Sequence, residues 1–154
     1  MKKTTGYDTL EQVVLGNRDG DPYAFALLVH QWYLKLCFLA KRLIDQARMA
    51  ETIVEQALVA LWVHRQELEE VKAVKRFLFY SIRQACLECI RKEQGPFMNV
   101  QLMEYVAFES LEFIDQELAL AEVLRQLQYD PIENLPALCL EAISPELAAV
   151  GKKI

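Results

Sequence analysis

Between Asp21 and Leu43 the apolar residues Phe25, Leu28, Val29, Trp32, Leu36, Leu39 and Leu43 recur at steps of three and four. Only an α-helix, of about 22 residues, places such a set on one side; a strand would scatter it over both faces. Asp21-Pro22 marks its start, since an aspartate can cap the first free N–H groups and proline has no N–H to waste at the first helical position. One buried helix of this length needs others to cover it, and the rest of the chain supplies the same period.

Asp8-Thr9-Leu10-Glu11 is a capping-box pattern opening a short helix that Gly16-Asn17 ends, with a turn over 16–20. After a break near Asp45-Gln46, a broad apolar face is formed by Ala50, Ile53, Val54, Ala57, Leu58, Leu61 and Trp62. A polar stretch from His64 to Lys72 precedes a fourth helix, with the stripe Val74, Leu78, Ile82, Ala85 and Cys89, which Gly95-Pro96 ends. Residues 96–108 read as a linker, and Leu111, Ile114, Leu118, Ala121 and Leu124 face inward on a further helix. Asp130-Pro131 and Leu135-Pro136 cut the chain beyond this helix into short pieces, and Ser144-Pro145-Glu146 reads as a last helix start. The expected helices are therefore 9–16, 22–44, 47–65, 73–93 and 110–128, in an all-α fold without β-sheet. Trp32, Leu36, Leu61, Trp62, Leu78 and Ile82 form its expected core.

Five glycines and five prolines are too few for the turns of an all-β chain. No apolar run approaches the ~18–20 residues of a membrane span, and Met1 to Asp8 lacks the apolar core of a signal peptide, so a soluble, cytoplasmic protein is expected. In that compartment Cys37, Cys86, Cys89 and Cys139 are expected to be reduced. Cys86 and Cys89 have C-x-x-C spacing, but within a helix and without a second pair or a nearby histidine, so they read as packing rather than as a metal site. The histidines His30 and His64 stand in no ligand or base arrangement, and no glycine-rich phosphate loop or G-x-S-x-G is present. Neither an enzyme nor a cofactor or metal is expected.

Charge is divided unevenly. Residues 1–97 carry 14 Lys/Arg against 12 Asp/Glu, a net of +2, and residues 98–154 carry 3 against 10, a net of −7. The acidic part can either compete with a polyanion for the basic part or pack beside it as a structural element. On the fourth helix, at 100° per residue, Arg76, Tyr80, Arg83 and Leu87 fall within about 60° of one another, with Gln84 and Arg91 at the edge. Cations with an aromatic among them suit nucleic acid, because guanidinium groups neutralise phosphates and a ring stacks on an unpaired base. The same pattern is also that of an ordinary basic, solvated helix face.

Several motifs resemble region 2 of extracytoplasmic-function (ECF) sigma factors. Gly20-Asp21-Pro22-Tyr23-Ala24-Phe25 is similar to the family's GD-x-x-AF opening. Residues 50–62, from Ala50-Glu51-Thr52 to Leu61-Trp62, resemble its AED helix. Phe77-Leu78, Ser81-Ile82-Arg83-Gln84 and Cys89-Ile90-Arg91-Lys92 resemble the family's next helix, YL…RN…LRK. Order and spacing agree over roughly residues 8–94. The resemblance implies that the AED helix docks on the clamp helices of the RNA polymerase largest subunit, through Glu51, Thr52, Glu55 and Gln56. It also implies that Arg76, Phe77, Tyr80, Arg83, Gln84, Arg91 and Lys92 lie on or beside a surface that captures promoter DNA at the minus-ten element. An anti-sigma factor is a further implied partner.

The chain departs from the family pattern at Thr52, where the family has Asp, and at Glu55-Gln56, which reverses the usual order. Leu58 replaces an aromatic, and Gln84 replaces Asn. The expected organisation is a region 2-like domain over 1–95, the linker, and a truncated region 4-like tail over 109–154. Ser144-Pro145-Glu146-Leu147-Ala148-Ala149 resembles the S-x-x-EIA helix of region 4, but no recognition helix follows Gly151, so no minus-thirty-five reader is expected. A degenerate, docking-only relative of the family is the alternative reading.

Overall fold

The computed structural model describes residues 7–94, 132 and 135–152. Among them every regular element is helical: α1 (Leu10–Arg18), α2 (Pro22–Leu43), α3 (Ala47–Val63), a 3-10 turn (Arg65–Glu67), α4 (Val71–Gln94) and α5 (Ala137–Lys152). The all-α expectation holds. The expected linker, the 110–128 helix and its inward residues lie outside the described residues.

Helix α2 is the centre of the bundle. It packs against α1, α3 and α4, and Ala24 to Val29, Trp32, Leu36, Leu39 and Ala40 are all buried. Burial from several sides accounts for its composition. By length and composition α2 can cross a membrane, contrary to the expectation that no run comes near a span, yet 67% of its apolar window is buried inside the bundle. The start read from the sequence is present: the Asp21 carboxylate accepts from the Tyr23 N–H at 3.0 Å, with Pro22 at the first position. Trp32, Leu36, Leu61, Trp62, Leu78 and Ile82 are all buried in one core cluster, as expected.

Several local expectations are corrected. The cap of α1 is Thr9, not Asp8. Its hydroxyl accepts from the Gln12 N–H at 3.2 Å, while the Gln12 side chain accepts from the Asp8 N–H at 2.7 Å. The cap thus sits one residue later than the sequence suggests, and Gln12 reaches back past it to the Asp8 N–H. Gly16-Asn17 does not end the helix, which runs on to Arg18. A Cβ on Gly16 would collide with Tyr7, so this glycine serves close approach, and the left-handed turn falls to Gly20 at φ 91°. Tyr7 closes the same corner by donating its hydroxyl to Asp21. Helix α3 ends at Val63 and α4 starts at Val71, because the 3-10 turn and the buried Leu68 shape the link between them.

The largest correction is at the C-terminal end. Ser144-Pro145 starts no helix; α5 runs unbroken from Ala137 to Lys152 with Pro145 inside it. Cys139 and Ile143 are fully buried, and Ile132 and Leu135 join the same core as the N-terminal helices. Helix α5 packs mainly on α3 and also touches α2. At its C-terminal half Glu146 reaches Arg65 at 3.8 Å.

Candidate functional site

Helix α4 packs against α1, α2 and α3, so its buried arc is wider than one stripe. Val74, Leu78, Phe79, Ile82, Cys86 and Leu87 are buried, whereas Ala85 and Cys89 are only partly so. Leu87 therefore does not belong to the outer face where its angular position suggested it. What remains outside is a run of polar and aromatic residues. Arg76, Tyr80, Gln84, Arg91 and Lys92 are exposed, and Phe77 and Arg83 are half-buried.

A groove of about 500 Å³ opens along this face, lined by Ala73, Arg76, Phe77, Tyr80, Ser81 and Gln84. It brings together four of the seven residues expected to meet DNA. Arg83, Arg91 and Lys92 are not among its lining residues. Arg91 pairs with Glu88 one turn earlier, at 3.4 Å between two exposed side chains. The Tyr80 ring, 55% exposed, meets Phe79 edge-on at 5.4 Å. The Phe77 ring meets the His64 ring at a tilt, with 5.8 Å between centres. Such a groove has aromatic walls for stacking, an amide with donor and acceptor at one end, and a guanidinium for phosphate at the other. Ala73 and Ser81 are lining residues that the sequence reading passed over. Their signal is small size at helical spacing from Phe77, Tyr80 and Gln84, which hollows the surface between larger side chains.

The second expected surface lies on α3. Glu51 and Gln56 are exposed, and Thr52 and Glu55 are half-buried. The Thr52 hydroxyl donates to the Arg48 carbonyl at 3.1 Å, one turn back, so it is already committed to the helix backbone. Glu55 accepts from the Tyr33 hydroxyl on α2 in a long contact of 3.5 Å. Burial first, then Cys37, Glu55 and Glu51 nearby, push the Tyr33 hydroxyl well above its ordinary range. Burial, with Glu55 adding its charge, also pushes the Cys139 thiol of α5 up to about 12. Gln56 and Val59 face Leu138, Glu141 and Ala142 of α5 across a second groove of about 290 Å³.

The described part of the tail, α5 with Glu141 and Glu146, lies along α3. The other eight of the tail's ten acidic residues, on which competition for the basic face of α4 turns, lie outside the described residues. Sequence reasoning missed α5 as a neighbour of α3. The signal was Leu135, Cys139, Ile143 and Leu147 at steps of four, a stripe that passes straight through Ser144-Pro145.

Cys37, Cys86 and Cys139 are buried and Cys89 is half-buried, all as free thiols. Among the described residues no three His, Cys, Asp or Glu side chains gather as metal ligands would. No protein-family model matches the chain, and neither a curated protein nor a solved structure does.

Proposed function

We propose that this chain is a sigma region 2-like protein that docks on RNA polymerase through α3 and holds an unpaired promoter strand on α4. The observation that carries the reading is the α4 groove, where Arg76, Phe77, Tyr80 and Gln84 line one hollow on an otherwise solvated helix face. A solvated helix face can carry an open dip of this kind. What favours an unpaired base is the set of side chains around it: two aromatic rings for its π-face, an amide for its polar edges and a guanidinium for its phosphate. The α3 surface adds a docking site on the same rigid bundle, so a strand held on α4 would be fixed relative to polymerase.

A second reading keeps the docking and drops initiation. Thr52 has no carboxylate and spends its hydroxyl on Arg48, and Gln56 borders α5. On this reading the chain binds polymerase or an anti-sigma partner without opening DNA. A pull-down of core polymerase combined with run-off transcription separates the two. Pull-down with transcripts that Tyr80→Ala abolishes supports initiation, and pull-down without transcripts supports docking alone. Failure of the full chain to retain polymerase defeats initiation and polymerase docking alike, and leaves only the anti-sigma partner of the second reading.

A further inference from the structure

Helix α5 stands on part of the ground that a partner of α3 needs. Cys139 and Ile143 are fully buried and Leu147 packs on the core. Leu138, Glu141 and Ala142 border Gln56 and Val59 across the second groove. The occupied part is beside Glu55 and Val59, both half-buried, and Gln56 stays exposed at its edge. Glu51 stays exposed, and Thr52 half-exposed, one turn earlier.

Two features make α5 removable. Pro145 sits inside the helix, offers no N–H to the Glu141 carbonyl and crowds that turn with its ring. Beyond it, α5 is tied to the bundle by the partly buried Leu147 and by the Arg65–Glu146 pair at 3.8 Å, with both of the pair's side chains partly exposed, which is a weak kind of anchor. The half of α5 before Pro145 is held by apolar burial, which is non-directional and can be exchanged for burial against another helix.

We infer that α5 is a built-in cover on the docking face of α3, seated in the free protein and displaced when α3 meets its helical partner. The inference rests on the docking reading above and adds its regulation. Glu51 and Thr52 give the incoming helices a foothold, and full engagement requires α5 to leave. Apparent affinity is then reduced by the fraction of molecules in which α5 is seated.

The test uses the full chain and a purified fragment carrying the clamp helices of the polymerase largest subunit. Ile143→Asp places a charge in the seat of α5 and should tighten binding about tenfold or more, by raising the uncovered fraction. Pro145→Ala restores the missing N–H, strengthens α5 and should weaken binding about fivefold. Alkylation of Cys139, followed by peptide mass spectrometry, reports the seat directly, because the thiol is fully buried while α5 is docked. Adding the fragment to the parent chain should speed that alkylation about tenfold or more. Equal affinities for the three forms, or fragment binding that leaves Cys139 protected, overturn the cover while leaving docking intact. Binding by no form, with Cys139 nonetheless released in Ile143→Asp, overturns the docking reading and the cover with it. Should Ile143→Asp fail to fold, the Pro145→Ala affinity and the parent alkylation decide the matter.

Discussion

The Arg65 guanidinium lies 4.1 Å from the centre of the Trp62 ring, stacked on a side chain that is itself 3% exposed. One of its nitrogens donates to the Trp62 carbonyl at 2.9 Å, and another points to Glu146 on α5. A planar cation here closes the end of α3, covers the core tryptophan and reaches the C-terminal helix at once. Arg65→Ala should cost about 1–2 kcal/mol through the lost stacking and carbonyl bond. Arg65→Lys should recover little of it, since an ammonium cannot lie flat on a ring and bond in two directions. Urea melts of the two variants check this, and a lysine variant as stable as the parent would refute it.

Trp62 itself is wedged between Arg65 and Phe25, whose ring centre lies 5.1 Å away. Trp62→Ala removes the largest side chain of α3 from a packed site and should cost about 3–5 kcal/mol. A loss below about 1 kcal/mol in the same melts would mean that the cavity collapses at almost no cost.

The sequence made some of this legible for plain reasons. The start of α2 could be read because Asp21-Pro22 carries its own cap chemistry, and the core because Trp32, Leu36, Leu61 and Ile82 follow the helical period. Leu87 falls on the wrong face of a helical wheel because the wheel assumes one buried stripe, whereas α4 is packed from three helices. Helix α5 is not legible as one helix because Ser144-Pro145 has the residues of a helix start. Burial of Cys139 and Ile143 on one side of the proline, with Leu147 packed beyond it, outweighs that local preference. On the candidate site, Arg76, Tyr80 and Gln84 were legible as an outer face. Periodicity within a helix says nothing of which distant helix lies beside it, so the pairing of α5 with Gln56 and Val59 was not.

Burial pushes the thiols of Cys86 and Cys139 up to about 12, from an ordinary value of 9.0. Both groups are held neutral in the folded chain, so their contribution to stability is complete below pH 9 and fades as pH climbs toward 12. Stability should therefore fall steadily over that window. Replacing both with alanine should flatten the decline, at the expense of some packing at lower pH. Denaturant midpoints measured at intervals from pH 8 to about 11 decide it; parallel slopes for parent and double variant would count against these thiols.

On α3, Thr52→Asp exchanges a hydroxyl bonded to the Arg48 carbonyl for a carboxylate that can reach outward. If α3 docks on the clamp helices, the new charge should tighten binding by about 1.5–3 kcal/mol, the worth of a hydrogen bond to a charged group. The gain should shrink with salt. Titration against the purified clamp-helix fragment at two ionic strengths checks both parts. An unchanged affinity would place the contact surface elsewhere on the bundle.

The α4 groove predicts a division of labour between Arg76 and Tyr80. Both line it and both are exposed, but they would hold a strand by different forces. Arg76 offers a charge to a phosphate, an interaction driven by release of condensed counterions. Tyr80 offers a ring to a base, which depends little on ions and is worth about 1–3 kcal/mol per stacked base. Arg76→Gln should therefore weaken binding of a single-stranded, minus-ten-like oligonucleotide mostly at low salt, lowering the slope of log affinity against log salt by about 0.7. Tyr80→Ala should weaken it by a similar factor at every salt concentration and leave that slope alone. Tyr80→Phe should retain the parent affinity, because the ring and not the hydroxyl stacks. Fluorescence anisotropy with a labelled oligonucleotide resolves the three. Were Tyr80→Ala to lower the slope as Arg76→Gln does, the ring would be orienting neighbouring cations, and the groove would be part of a charged surface and no base pocket.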